Sequence, residues 1–231
     1  MKIVITAGGT EEPIDKVRKI TNMSTGTLGK NICDNITDKW FNEKTLKDNE
    51  IFYICNENSI LPEVCSSVTI IKTTDTDSVQ NSIENILMLN KIDYFIHSMA
   101  ISDYKVEGAY VDGLDKTLSR LDTRNKMSSK HEEIYIKLVK TPKIIDFIKK
   151  VQPEIKLISF KLLNNVTEVE LVNVAKNQLK RTNSSLVIAN DLKNIDKNNI
   201  NHKALMITNK DEFDRVETKK DIAEYIFNFM S

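Results

Sequence analysis

The chain has 231 residues, 40% of them hydrophobic and 29% charged, enough for one large α/β core beneath a solvated surface. Lysine plus arginine and aspartate plus glutamate both number 33, so there is no overall basic field and nucleic acid is not an expected partner. Three cysteines without CxxC spacing, no apolar run of membrane-spanning length and an N-terminus that runs straight into a strand predict a cytoplasmic chain with reduced thiols, no signal peptide and no membrane partner.

In chain order, residues 2–7 read as a buried strand, 8–24 as a loop and 26–40 as a helix. Residues 51–55 and 68–72 read as short strands. Residues 75–89 carry Val79, Ile83, Ile86 and Leu87 at helical spacing, with Thr74 or Asp75 as the cap. Residues 92–97 form another apolar strand. Residues 105–133 have few apolar side chains, many charges and no period, which predicts a long mobile loop that is either functional or disordered. Strands follow at 134–138, 157–160 and 186–189, separated by helices beginning near Thr141 and Thr167. Residues 204–208 and 215–218 flank a turn-rich tetrapeptide and predict a hairpin. Residues 219–230 close the chain as a helix with Ile222, Tyr225, Ile226 and Phe229 turned inward. The alternation predicts a Rossmann-like, doubly wound, mainly parallel α/β sheet, with no Pro/Gly linker to divide residues 1–231 into domains.

The first strand empties into Thr6-Ala7-Gly8-Gly9-Thr10, and Ser24-Thr25-Gly26-Thr27-Leu28-Gly29 opens the first helix. Glycines there let backbone N–H groups approach an anion, and a helix N-terminus adds a favourable dipole. Neither G-x-G-x-x-G nor the P-loop spacing is present. Arg18 and Asn22 lie between the two clusters, the first suited to a bidentate anion contact and the second able to donate and accept. After the strand at 92–97 comes Ser98-Met99-Ala100-Ile101-Ser102-Asp103-Tyr104, where a doubly wound fold opens its ligand crevice. Asp103 is placed to accept from a ribose hydroxyl, whereas His97 reads as a satisfied core histidine. Lys126, on Asn125-Lys126-Met127-Ser128-Ser129-Lys130, is either an ordinary solvated loop lysine or one able to close over phosphates. The histidines at 97, 131 and 202 form no zinc pattern.

The run from Ile5 to Gly26, ITAGGTEEPIDKVRKITNMSTG, closely resembles the signature of phosphopantothenate–cysteine ligases, roughly ITAGGT-x-EPID-x-VR-x-I-S/T-N-x-S-S/T-G. Met99–Tyr104, Lys126–Ser129, Leu138–Pro142, Phe160 and Ala189-Asn190-Asp191 resemble later segments of that family, in the family's order. The resemblance implies an amide-forming ligase of coenzyme A biosynthesis. A nucleoside triphosphate activates the carboxylate of 4′-phosphopantothenate as an acyl-nucleotidylate, and the cysteine amine then displaces the nucleoside monophosphate. It also implies residue roles. Asn22 and Lys126 would be catalytic, with Arg18, Asn22 and Ala100 on the substrate. Gly8, Gly9, Ser98, Asp103, Lys126 and Phe160 would hold the nucleotide. Mg2+ would arrive with the triphosphate without a named protein ligand. CTP is expected more than ATP, and a homodimer is expected.

Some positions depart from the pattern. Ser159 stands for the usual glycine, Leu162, Leu163 and Asn164 replace an acidic-threonine pair, and Gln178 and Thr182 stand where many bacterial members carry lysines. With no flavin-dependent decarboxylase ahead of Met1, the free-standing bacterial form is expected. Two other readings suit a glycine-rich turn after strand one. An NAD(P)-dependent short-chain-type oxidoreductase calls for Tyr-x-x-x-Lys, and no tyrosine here is followed by such a lysine. A non-catalytic nucleotide-binding subunit would keep the glycines without needing Asn22 and Lys126 together.

Overall fold

The computed structural model describes residues 1–63, 65–113, 117–196 and 201–231. The strands are β1 (Lys2–Ala7), β2 (Glu11–Pro13), β3 (Lys19–Thr21), β4 (Glu50–Asn56), β5 (Val68–Thr73), β6 (Tyr94–His97), β7 (Tyr104–Asp112), β8 (Leu118–Arg120), β9 (Tyr135–Lys140), β10 (Lys156–Leu163), β11 (Leu186–Asp191), β12 (Ala204–Ile207) and β13 (Asp214–Val216). The helices are α1 (Thr27–Asn42), α2 (Thr76–Leu89), α3 (Ile144–Val151), α4 (Glu168–Thr182) and α5 (Lys219–Met230).

One sheet dominates, in the order β13-β12-β11-β10-β6-β1-β4-β5. From β11 to β5 every pairing is parallel, and β12 and β13 close the edge antiparallel as the expected hairpin. Alternation along β1 sets the two faces. Ile3, Ile5 and Ala7 enter the core beneath α1 and α5 with Ile32, Ile36, Trp40, Ile222 and Ile226. Val4 points the other way, into the layer made by Val79 and Ile83 of α2 and Ile144 and Ile148 of α3. Leu171, Ala175 and Leu179 of α4 extend that second layer over β11 and β12. Asp75 caps α2 by accepting from the Ser78 N–H at 2.8 Å, and Thr167 caps α4 through Glu170. Tyr225 and Phe229 reach the core only partly.

Two stretches read from sequence as irregular are structured. Within residues 8–24, β2 and β3 pair as an antiparallel hairpin. It is fastened to α2 by the buried Glu12 carboxylate, which accepts from Thr76 N–H (3.0 Å) and Thr76 Oγ1 (2.6 Å). Within residues 105–133, β7 pairs with both β8 and β9 in a separate three-stranded sheet. The predicted structureless loop therefore shortens to the stretch from 121 to 134, and residues 114–116 lie outside the described residues. The period of β7 is hidden by an irregularity between Val106 and Gly108, and every residue of β8 is exposed, so neither strand carries an apolar alternation.

Candidate active site at the switch point of the sheet

β4 lies on one side of β1 and β6 on the other, so the strand order reverses between β1 and β6. Connections from neighbouring strands diverge there, and beyond their carboxyl ends is where folds of this class hold ligands. The chain leaves β1 through Gly8 and Gly9 and leaves β6 through Ser98, Met99 and Ala100, and these two exits are stitched together. Gly9 and Ala100 form a parallel bridge. Ala100 N–H donates to the Gly8 carbonyl (2.9 Å) and Thr10 N–H to the Ala100 carbonyl (3.1 Å). Ser98 Oγ donates to the Thr6 carbonyl at 2.6 Å.

Glycine is required at this junction. Gly8 and Gly26 both adopt positive φ, +85° and +82°, a region that side-chain-bearing residues enter at a cost. A Cβ on Gly8 would lie 2.0 Å from Ser59 Oγ, and one on Gly26 would lie 3.3 Å from the Gly8 nitrogen. Gly26 precedes the first residue of α1, so the two glycine clusters meet in one cradle at a helix N-terminus. Gly29 keeps the helix close, since a Cβ there would lie 2.5 Å from the Ala7 Cβ. Ser59, in the turn after β4, completes the cradle. Its only sequence signal is a polar Asn-Glu-Asn-Ser run behind a buried strand.

The β2–β3 hairpin folds over this junction. Asn22 follows β3 directly, and its Nδ2 donates to the Ala100 carbonyl at 3.1 Å. A Cβ on Gly9 would touch the Asn22 Cβ at 3.0 Å. Gly8, Gly9, Asn22, Ser98 and Ala100 are thus brought together. Arg18 sits at the hairpin turn, exposed, with Nη1 donating to Asp15 Oδ2 at 2.6 Å. Lys126 is exposed and one residue before Met127, which is buried. Met127 N–H donates to the same Asp15 Oδ2 at 3.0 Å. Asp15 Oδ1 accepts from Val17 N–H and Arg18 N–H, both at 2.8 Å. The Met127 N–H, helped by those of Val17 and Arg18 and by the guanidinium, outweighs burial and holds the Asp15 carboxyl at about 2.

Asp103 and Phe160 flank the switch point from the β6 and β10 side. Phe160 lies one residue beyond the Ser159–His97 pair and rests half-buried against the core. Asp103 is exposed and accepts from Lys143 Nζ at 2.5 Å, while its carbonyl accepts from Thr141 N–H at 3.0 Å. Lys143 was not singled out from the sequence, because a lysine directly ahead of an apolar helical turn has no distinguishing spacing. His97 is a core residue. Its Nδ1 is 2.9 Å from Thr6 Oγ1, and burial lowers it to about 4, so it is neutral at neutral pH.

The departures from the family pattern form a network of their own. Gln178 Nε2 donates to Ser159 Oγ (3.0 Å) and to the Phe160 carbonyl (3.1 Å). Thr182 Oγ1 pairs with Ser184 Oγ, which pairs with Ser159 Oγ. The hydroxyl gained at position 159 is therefore satisfied within the protein by Gln178 and Ser184, the latter paired in turn with Thr182. Gln178 and Thr182 are turned to structural work behind β10. Among the described residues no group of three or more His, Cys, Asp or Glu is placed to hold a metal ion. No helix among them is long and apolar enough to cross a membrane.

An open, doubly wound sheet with a glycine cradle and a capping hairpin at its switch point defines a Rossmann-like α/β protein. The chain belongs to the DNA/pantothenate metabolism flavoprotein C-terminal domain family, whose profile matches residues 1–231. It is 30% identical over 192 residues to the coenzyme A biosynthesis bifunctional protein CoaBC of Thermococcus kodakarensis, covering 83% of this chain and 41% of that protein. The chain spans less than half the length of the curated relatives it matches, between 40% and 48%. The crystal structure of the DNA/pantothenate metabolism flavoprotein from Streptococcus pneumoniae superposes with a TM-score of 0.84 at 35% identity, covering 100% of this chain and 98% of that one. A Cab2 mutant in complex with phosphopantothenate-cysteine has the same fold, with a TM-score of 0.70 at 17% identity over 99% of this chain and 87% of that one.

Proposed function

We propose that the chain catalyses formation of the amide between 4′-phosphopantothenate and cysteine, with a nucleoside triphosphate spent to activate the carboxylate. The observation that carries this reading is the convergence of Asn22, Ala100, Gly8 and Gly9 at the switch point, under a hairpin whose Asp15 also holds the segment bearing Lys126. The CoaBC relatives act in coenzyme A biosynthesis by name, and the ligand named for the Cab2 complex is the product of such a reaction.

A carboxylate is a poor electrophile, and breaking a phosphoanhydride makes it reactive. The carboxylate oxygen attacks the α-phosphorus, pyrophosphate leaves, and an acyl-nucleotidylate forms. The cysteine amine then attacks the acyl carbon, loses a proton and expels the nucleoside monophosphate. Such a site needs donors for phosphates rather than a nucleophilic triad. The Gly8–Gly26 cradle and the N-terminus of α1 receive phosphate oxygens, Ser98 and Phe160 border the nucleotide, and Asp103 accepts from its ribose. Arg18 meets the phosphate of the pantothenate half, while Asn22 and the Ala100 backbone hold the acyl group. Lys126 offsets charge on the triphosphate. Mg2+ would come with the triphosphate and supply charge neutralisation on it, with no protein ligand named among the described residues. The enzyme is read as cytoplasmic and as a homodimer, with Tyr104 and Leu138 exposed on one face of the β7–β9 sheet in support of the latter.

CTP is expected to give a higher kcat/KM than ATP. Pyrophosphate release measured with purified protein, 4′-phosphopantothenate and each nucleotide checks both the activity and the preference. Equal or better use of ATP would overturn the preference, and pyrophosphate release that ignores 4′-phosphopantothenate would overturn the activity.

A further inference from the structure

We propose that Asp15 is a positioning residue that ties the Lys126 segment to the Arg18 hairpin, so that the two cations are set relative to one another by one carboxylate. It touches neither substrate nor nucleotide in this account. The role in turnover rests on the ligase reading above, whereas the tie itself does not.

Four donors converge on this side chain, whose carboxylate is completely removed from solvent. Val17 N–H and Arg18 N–H fold the hairpin turn onto Oδ1. Arg18 Nη1 and Met127 N–H share Oδ2, at 2.6 Å and 3.0 Å. The first three contacts lie within three residues of Asp15 and would serve an ordinary Asx-type turn. The fourth comes from 112 residues away in sequence. It falls on the residue next to Lys126, in a stretch without regular structure from 121 to 134. The Met127 side chain is buried beside it, while Lys126 and residues 128–131 are exposed. Segment 121–134 is thus held at one point in its middle, and the holding group is the one that also orients the Arg18 guanidinium. A charged acceptor makes a stronger bond than a neutral one, and leaving a buried N–H without a partner is costly. The arrangement fixes the base of the lysine and leaves its ammonium free to swing over a ligand.

Asp15→Asn keeps the shape but turns one oxygen into a donor, so either Met127 N–H with Arg18 Nη1 or the two turn N–H groups lose their acceptor. Two measurements test the inference. The first needs only the unmodified protein: residue-resolved hydrogen exchange of the Met127 amide. Protection of about 100-fold or more, against near-unstructured rates at residues 128–131, is the expected pattern for a single pinned point. Met127 exchanging as fast as its neighbours would overturn the tie. The second is a double-mutant cycle in single-turnover pyrophosphate release. Asp15→Asn alone is expected to slow release by about 10- to 100-fold through misplacement of Lys126. In a Lys126→Ala background the same change should cost less than about 3-fold, because the lysine it positions is gone. An equal factor in both backgrounds, or no effect of Asp15→Asn in the intact protein, would overturn the positioning role. Absence of pyrophosphate release from the unmodified protein would instead remove the ligase reading and with it the positioning role, leaving the exchange result to decide the tie.

Discussion

Lys126→Ala is expected to slow pyrophosphate release by about 10²–10³-fold, the usual cost of removing one well-placed electrostatic donor from a developing charge. In the proposed first half-reaction the carboxylate attacks a triphosphate that is already polyanionic, and negative charge gathers on the departing pyrophosphate. Lys126 is exposed in the free protein and adjacent to a buried, hydrogen-bonded Met127, so it combines a fixed base with a mobile ammonium. That combination suits a group that engages only once the nucleotide is in place. Alanine removes the charge without disturbing Met127, and melting behaviour should stay close to that of the unmodified chain. Rapid-quench measurement of pyrophosphate in a single turnover is the check. A normal rate for the variant would take Lys126 out of the first half-reaction.

Asn22→Asp is expected to separate the two half-reactions. Pyrophosphate should still form at a rate within about 10-fold of normal, while coupling to cysteine falls by about 10²-fold or more and activated intermediate escapes to hydrolysis. Asn22 Nδ2 donates to the Ala100 carbonyl, which already accepts from Thr10 N–H. An aspartate of the same size cannot donate there, so two acceptors face each other next to a phosphorylated acyl group. The damage is electrostatic and local to the acyl intermediate rather than to the nucleotide cradle, where Gly8 and Gly26 are unchanged. Following pyrophosphate and amide in the same single-turnover experiment distinguishes the outcomes. Normal coupling by the variant would remove Asn22 from the second step.

The parts of the fold governed by period and by backbone geometry were legible in the sequence. Buried β1, β4, β6, β10 and β11 carry continuous apolar runs, and α2 shows Val79, Ile83, Ile86 and Leu87 on one face, so the parallel sheet and its helices follow from pattern alone. The two glycine clusters were legible as a pair because positive φ at Gly8 and Gly26 restricts the residue type. What escaped was tertiary. The strands of the β2–β3 hairpin are too short for a period, and the hairpin is held by Glu12 reaching the start of α2. β7 and β8 have no apolar alternation to betray them. Asp15 reads as an ordinary turn aspartate until the chain folds and Met127 arrives from 112 residues away. Gln178 and Thr182 looked like missing cations, and the geometry shows Gln178 donating to Ser159 and Thr182 pairing with Ser184, which in turn pairs with Ser159. Residues 197–200 lie outside the described residues.

The most direct test follows the carboxylate oxygen. With 4′-phosphopantothenate carrying oxygen-18 in its carboxylate, plus cysteine and CTP, mass spectrometry of the products reports which bond was made and broken. An acyl-nucleotidylate route places one labelled oxygen in the released cytidine monophosphate and retains the other in the amide carbonyl of the product. Label in inorganic phosphate beside cytidine diphosphate, or no amide at all from active protein, would contradict the account.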